Sequence, residues 1–370
     1  MKKPLSKYLK DFFAFNRLVG TDEKLLGLTK VDHLLNQLIA TKKLPGLAIS
    51  VLKEGQVFFQ KGYGFADLEK KIKVNPQTSV FRIASVSKPI AATALANMVA
   101  DGLIDLEASF YTYVPYFPKK QWDFTIRQLA SHTAGIRSYV GKEYGLNEPY
   151  SIKESIALFK NNDLLFEPGT SYSYNSYGWV LISLAMQEAS GIPFEDYVAE
   201  KVLKPLRLQH IFAAESSGVD VIPDDSLHIT TFYSKKGIGF REAIPVNNYF
   251  KMASGGFLAT SEGIAAFGQA FLDKKVLNDS VLSQFLSSEI INDKPTYYGL
   301  GWQVSHDKAG RNFYGHIGNG VGSYANFFVY PEQQMVIALL TNCTNPEIQD
   351  SLDAVVDTLF LHHKAISTSK

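Results

Sequence analysis

Ser85 and Lys88 stand three positions apart in Phe81-Arg82-Ile83-Ala84-Ser85-Val86-Ser87-Lys88. A serine hydroxyl is a weak nucleophile at neutral pH and needs a base beside it. Positions i and i+3 of a helix share a face, so a helix beginning here brings the amine within reach of the hydroxyl. A lysine packed into a cleft loses solvation, which lowers its pKa and frees it to accept a proton. A serine at the helix start also meets the positive end of the helix dipole. An N-capping serine with a solvated lysine fits the same letters, so this spacing alone does not decide between chemistry and capping.

Further polar motifs follow in order. Thr125 to Ile136 reads as a short helix running into the turn Ser131-His132-Thr133-Ala134-Gly135. Pro168-Gly169-Thr170 precedes Tyr172-Ser173-Tyr174-Asn175-Ser176-Tyr177-Gly178. Then come Ala253-Ser254-Gly255-Gly256, Tyr298-Gly299-Leu300-Gly301-Trp302 and Gly315-His316-Ile317-Gly318-Asn319-Gly320. In this order the motifs resemble the class C β-lactamase and penicillin-binding esterase family, over about residues 31–342. The segments Phe81 to Lys88, Gly135 to Tyr139 and Ser155 to Asn161 are most similar to the mitochondrial serine β-lactamase-like subgroup and its bacterial relatives.

The resemblance implies roles by position. Ser85 is acylated, Lys88 takes or shares its proton, and Tyr174 assists proton transfer to the leaving group. Asn175-Ser176 stands where the family usually has Ser-Asn, which removes the amide that commonly holds the acyl side-chain carbonyl; the Ser176 hydroxyl replaces it only in part. His316-Ile317-Gly318 matches the third element, Lys-Thr-Gly in true β-lactamases. The backbone N–H groups of Ser85 and of Asn319, after Gly318, form the oxyanion hole. His316 is neutral for much of the time near pH 7. It can donate a hydrogen bond but selects less for an anion than lysine does, so weak or no β-lactamase activity is expected. His132 reads as structural, bonding backbone in its turn.

The elements that must position these groups are legible in outline. Val31 to Ile39 has helical periodicity. Leu47 to Leu52 and Val57 to Phe59 read as a hairpin around Lys53 to Gln56, with Gly62, Gly64 and the charged stretch Asp67 to Lys73 closing that section. A helix follows Ser85 and stops near Gly102, with Pro89 in its first turns. Helices are expected over 126–130, 151–160, 179–189, 194–202, 261–272 and 352–361, and strands over 299–305, 312–315, 322–330 and 335–341. Strands near both ends and helices between them predict an α/β (α+β) domain. Its antiparallel sheet is built from both chain ends, flanked by helices, with a mostly helical insertion. The expected organisation is an N-terminal extension over 1–25 and one hydrolase domain over 26–365. The sheet part of that domain covers about 26–90 and 250–365, and the helical part 91–249.

Composition excludes some partners. Lys+Arg number 37 against Asp+Glu 36, a net charge of +1. No basic stripe is interleaved with aromatics, so nucleic acid binding is not expected. The lone Cys343 follows an apolar run and reads as a small buried hydrophobe. The histidines show no metal-ligand spacing, and no metal or cofactor is expected. No signal peptide or membrane span is read, and a cytoplasmic protein is expected.

Two functions of different class are consistent with the motifs. The first is a serine hydrolase acting through an acyl-enzyme on a small ester, amide or peptide. The second is a catalytically weak penicillin-binding or filament-forming protein of the same fold; the complete Ser85, Lys88 and Tyr174 set argues against it. A Ser-His-Asp α/β-hydrolase lacks its G-x-S-x-G elbow here. The oligomeric state is not legible.

Overall fold

The computed structural model describes residues 27–215, 222 and 224–367. The expected extension over 1–25 lies outside the described residues. The chain divides into two compact units. The first holds described residues 27–43 and 347–367. Its helices α1 (Gly27–Ala40) and α5 (Gln349–Ser367) pack on each other. Val31, Leu35 and Leu38 are buried on α1, and Leu352, Val355 and Leu359 on α5. These are the apolar positions that the 3.6-residue period picks out.

The second unit, Leu44–Pro346, carries a seven-stranded sheet. Its strands are β1 (Gly46–Lys53), β2 (Gln56–Asp67), β3 (Ile72–Lys73), β4 (Gln303–His306), β5 (Asn312–Gly320), β6 (Ser323–Tyr330) and β7 (Met335–Thr341). The order is β4-β5-β6-β7-β1-β2-β3, and neighbouring strands pair antiparallel. The last strand therefore lies beside the first, with Leu47 opposite Thr341 and Lys53 opposite Met335. β6 and β7 are buried along their whole length, which explains their continuous apolar runs. Helix α4 (Ser261–Leu272) lies against β1, β6 and β7.

Several elements differ from the sequence expectation. β2 runs on to Asp67 rather than ending near Gly62. A Cβ at Gly62 would stand 2.0 Å from the Val74 carbonyl oxygen, so this glycine lets two backbones close together. β5 runs through the whole 315–320 motif, which had been read as preceding a strand. Residues 299–302 form no strand. The expected 151–160 helix is a four-residue α-turn followed by a 3₁₀ turn.

The second unit also holds strands that the sequence reading missed. A small sheet joins Ile211–Ala213, Phe257–Ala259, Ser79–Arg82 and His228–Ile229 in that order. It places Ser79–Arg82 beside Phe257–Ala259, and Ile83 N–H bonds the Phe257 carbonyl at 3.2 Å. That pairing puts the chain entering Ser85 next to the segment 252–256. Helix α2 (Ser87–Ala100) follows and is buried on nearly every side. Such a helix shows little amphipathic contrast, and Lys88 is part of its buried surface. Cys343 is buried, as expected.

Candidate active site

Ser85 lies in a 3₁₀ turn, Ala84–Val86, that leads directly into α2. The residue before it, Ala84, has φ 46°. A non-glycine residue in that region is strained, and such strain persists where the surroundings enforce it. Ser87 Oγ accepts from Phe257 N–H at 3.1 Å, tying the helix start to the small sheet. Lys88 is fully buried. Its Nζ donates to Ser85 Oγ at 3.1 Å and to the Ser254 carbonyl at 2.7 Å. Burial holds its pKa well below the ordinary lysine value. Burial favours the neutral amine, the form that can accept a proton.

Tyr174 enters from the loop before α3 (Tyr177–Ser190). Its hydroxyl donates to Ser85 Oγ at 2.8 Å, and Lys88 Nζ lies 4.9 Å from the ring centre. Loss of solvation raises the phenol pKa, partly offset by the Ser85 bond, so the phenol keeps its proton. The loop is pinned at both sides of Tyr174. Ser173 N–H bonds the His132 carbonyl at 3.0 Å, and Asn175 N–H approaches His132 Nδ1 at 3.4 Å. Asn175 Oδ1 accepts from Gly178 N–H at 2.7 Å in the first turn of α3. Asn175 is thus turned inward as a cap, while Ser176 lines the cleft. His132 holds the loop rather than only its own turn, since its ring lies 4.5 Å from that of Tyr174 and 4.7 Å from that of Tyr298.

His316 differs from the expectation. It is buried and does not line the cleft. Nδ1 meets the Ile317 carbonyl at 2.7 Å, and Nε2 meets the Tyr298 hydroxyl at 2.9 Å. A carbonyl only accepts, so Nδ1 carries the hydrogen and Nε2 accepts from Tyr298. Burial, with the nearby Lys88, brings the His316 pKa down to about 3. The ring is neutral at pH 7 and both nitrogens are engaged. It supports the site from behind, its ring 6.0 Å from that of Tyr174, and has no donor left for a substrate.

Gly318 and Asn319 bring β5 to the nucleophile. A Cβ on Gly318 would stand 2.3 Å from the Ile83 carbonyl oxygen and 3.2 Å from Ser85 N. Only glycine lets the strand pass so close to that turn. Gly320 pairs with Ser323 across a two-residue turn, and Asn319 with Tyr324. Antiparallel ladders alternate bonded and non-bonded pairs. Starting from the turn, Asn319 and Ile317 point their N–H groups away from β6. Ile317 obeys this and bonds the Gln303 side chain at 3.0 Å. Asn319 lies beyond the end of β4, at the cleft, so its N–H borders the space beside Ser85.

These groups open onto a cleft of about 300 Å³. Other residues lining it escaped the sequence reading, among them Arg82, Tyr139, Asn248 and Lys251. Both cations are embedded in apolar runs, Val80-Phe81-Arg82-Ile83 and Phe250-Lys251-Met252. A charge in such a run is the signal that could have marked them. Among the described residues, no group of three His, Cys, Asp or Glu side chains is placed to hold a metal ion. No described helix is long and apolar enough to cross a membrane.

Comparison with known proteins agrees with this geometry. A family model described as Beta-lactamase matches residues 31–360. The serine beta-lactamase-like protein LACTB, mitochondrial, of Homo sapiens is 26% identical, over 78% of this chain and 69% of its own length. The D-amino acid amidase from Ochrobactrum anthropi superposes with a TM-score of 0.78 at 18% identity, covering 92% of this chain and 98% of the amidase. EstCE1, described as a hydrolase with promiscuous acyltransferase activity, gives 0.75 at 17% identity, covering 89% and 97%. At these identities the two structures establish likeness of fold.

Proposed function

The chain belongs to the beta-lactamase family, and from that premise we propose that it is a serine hydrolase cleaving ester, amide or peptide bonds through an acyl-enzyme. The observation that carries the reading is the double contact on Ser85 Oγ, from Lys88 Nζ at 3.1 Å and Tyr174 Oη at 2.8 Å. A hydroxyl held between a desolvated amine and a protonated phenol has both a base and an acid at hand.

The steps follow from these positions. Lys88 takes the Ser85 proton as Oγ attacks the substrate carbonyl carbon. The oxygen of that carbonyl gains negative charge and rests on the N–H groups of Ser85 and Asn319. As the bond to the leaving group breaks, Tyr174 gives that group its proton and recovers one from Lys88. Water then attacks the acyl-enzyme, loses a proton to the same network, and Ser85 leaves protonated.

Neutral His316 supplies no cation on β5, so the reading includes weak or no turnover of β-lactams, whose carboxylate would meet no charge there. The test is hydrolysis of p-nitrophenyl butyrate together with labelling by a fluorophosphonate probe. Turnover by the wild type and its loss in Ser85→Ala support the reading. A folded wild type that turns over no ester, peptide or β-lactam and does not react with the probe refutes it.

A further inference from the structure

The loop that carries Tyr174 is gripped by one buried residue. His132 is fully buried and sits at φ 63°, a left-handed conformation uncommon for any residue but glycine. Its carbonyl accepts from Ser173 N–H at 3.0 Å, and its Nδ1 from Asn175 N–H at 3.4 Å. The residues on both sides of Tyr174 are thus bound to His132. The imidazole also lies 4.5 Å from the Tyr174 ring and 4.7 Å from the Tyr298 ring. Tyr298 is itself fixed, since its hydroxyl donates to His316 Nε2 at 2.9 Å.

These contacts set the tautomer. A backbone N–H only donates, so Nδ1 accepts and Nε2 carries the hydrogen. Burial, with Lys88 and His316 nearby, holds the His132 pKa well below its ordinary value. The ring therefore stays neutral, and Nδ1 stays an acceptor. Nε2 is buried and meets no hydrogen-bond partner among the described residues. A buried donor without a partner costs stability, and so does a left-handed backbone. Packing alone would be served better by an apolar side chain. What the imidazole supplies and a leucine cannot is the acceptor for the N–H that follows Tyr174.

We infer that His132 is a positioning residue for the acid step, holding the Tyr174 hydroxyl at the 2.8 Å from Ser85 Oγ where a leaving group can take its proton. This rests on the hydrolase reading above and adds a residue to it. His132 does not line the cleft, so it acts through Tyr174 and not on the substrate. Misplacing a reacting group by about 1 Å can cost about a hundredfold in rate. The cost falls where the proton matters, at the departure of a poor leaving group.

The test is kcat/KM, which reports acylation, on butyrate esters of p-nitrophenol, phenol and ethanol. The first alcohol leaves without a proton and the last needs one. His132→Leu should lower kcat/KM about a hundredfold on the ethyl ester and no more than about threefold on the p-nitrophenyl ester. His132→Asn keeps an acceptor near the place of Nδ1 and tolerates the left-handed backbone, so it should recover at least about tenfold on the ethyl ester. In a Tyr174→Phe background His132→Leu should cost less than about threefold on phenyl butyrate, because the acid it positions is already gone. Fluorophosphonate labelling of Ser85 in each variant shows that the nucleophile still stands. Should His132→Leu not fold, His132→Phe, which keeps a ring and lacks the acceptor, takes its place against His132→Asn. An equal loss on all three esters, no recovery in His132→Asn, or a full further loss in the Tyr174→Phe background overturns the inference and leaves the hydrolase reading intact. No turnover of any ester and no labelling of wild-type Ser85 would remove the hydrolase reading, and this inference with it.

Discussion

Tyr174→Phe removes one oxygen and keeps the ring. The phenyl group can still lie against His132, at a ring separation of 4.5 Å, and under Lys88 Nζ, at 4.9 Å. What is lost is the 2.8 Å donor to Ser85 Oγ and, with it, the acid that protonates the leaving group. Positioned acid–base groups contribute about 10²- to 10⁴-fold, or roughly 2.7–5.5 kcal/mol of barrier at 1.36 kcal/mol per decade. Stability should change by no more than about 1.5 kcal/mol, the net worth of one hydrogen bond. The assay is kcat and kcat/KM on p-nitrophenyl butyrate and on an anilide of the same acyl group, with a urea melt of each protein. A phenolate leaves without help, whereas an aniline needs a proton. The loss should therefore be larger on the anilide. A loss below about threefold on both substrates, with the fold intact, would refute the role given to the phenol.

Two further outcomes follow from burial. In the folded protein the Lys88 pKa is depressed, so below about pH 10.4 the unfolded chain binds the extra proton. Wild-type stability therefore falls as pH drops from 10 towards the folded pKa, at up to about 1.4 kcal/mol per pH unit. Lys88→Met lacks this loss. Its stability relative to wild type should rise between pH 10 and pH 7, as read from urea midpoints; a pH-independent difference would contradict the dry amine. Gly318→Ala should destabilise by about 1–3 kcal/mol and cut activity at least about a hundredfold, the loss typical of a disturbed oxyanion hole, because its Cβ would press on the Ile83 carbonyl 2.3 Å away. Wild-type kinetics in that variant would show that β5 need not approach so closely.

How much of this was legible in the chain depends on distance along it. Ser85 and Lys88 are three residues apart, so helix geometry alone brings them together. Tyr174 is 89 residues away from Ser85 with Tyr172 and Tyr177 as neighbours, and only motif order singled it out. Motif order singled out Ser176 as well, but that Asn175 turns inward to cap α3 shows only in the fold. His316 was misjudged because its partners, Tyr298 and the Ile317 carbonyl, come to it only on folding. Gly62 and the 315–320 segment looked like breaks, since a glycine in a strand reads as a turn until the neighbouring backbone is seen. Arg82 and Lys251 belong to separate segments that no local pattern joins.

The central claim is that a desolvated Lys88 makes Ser85 nucleophilic, and the rate of fluorophosphonate labelling of Ser85 against pH tests it most directly. The rate should rise to a plateau at a pH well below 10.4, the ordinary lysine value, and both plateau and reactivity should be lost in Lys88→Met. A labelling rate that climbs steadily through pH 10, or is unchanged in Lys88→Met, would contradict the account.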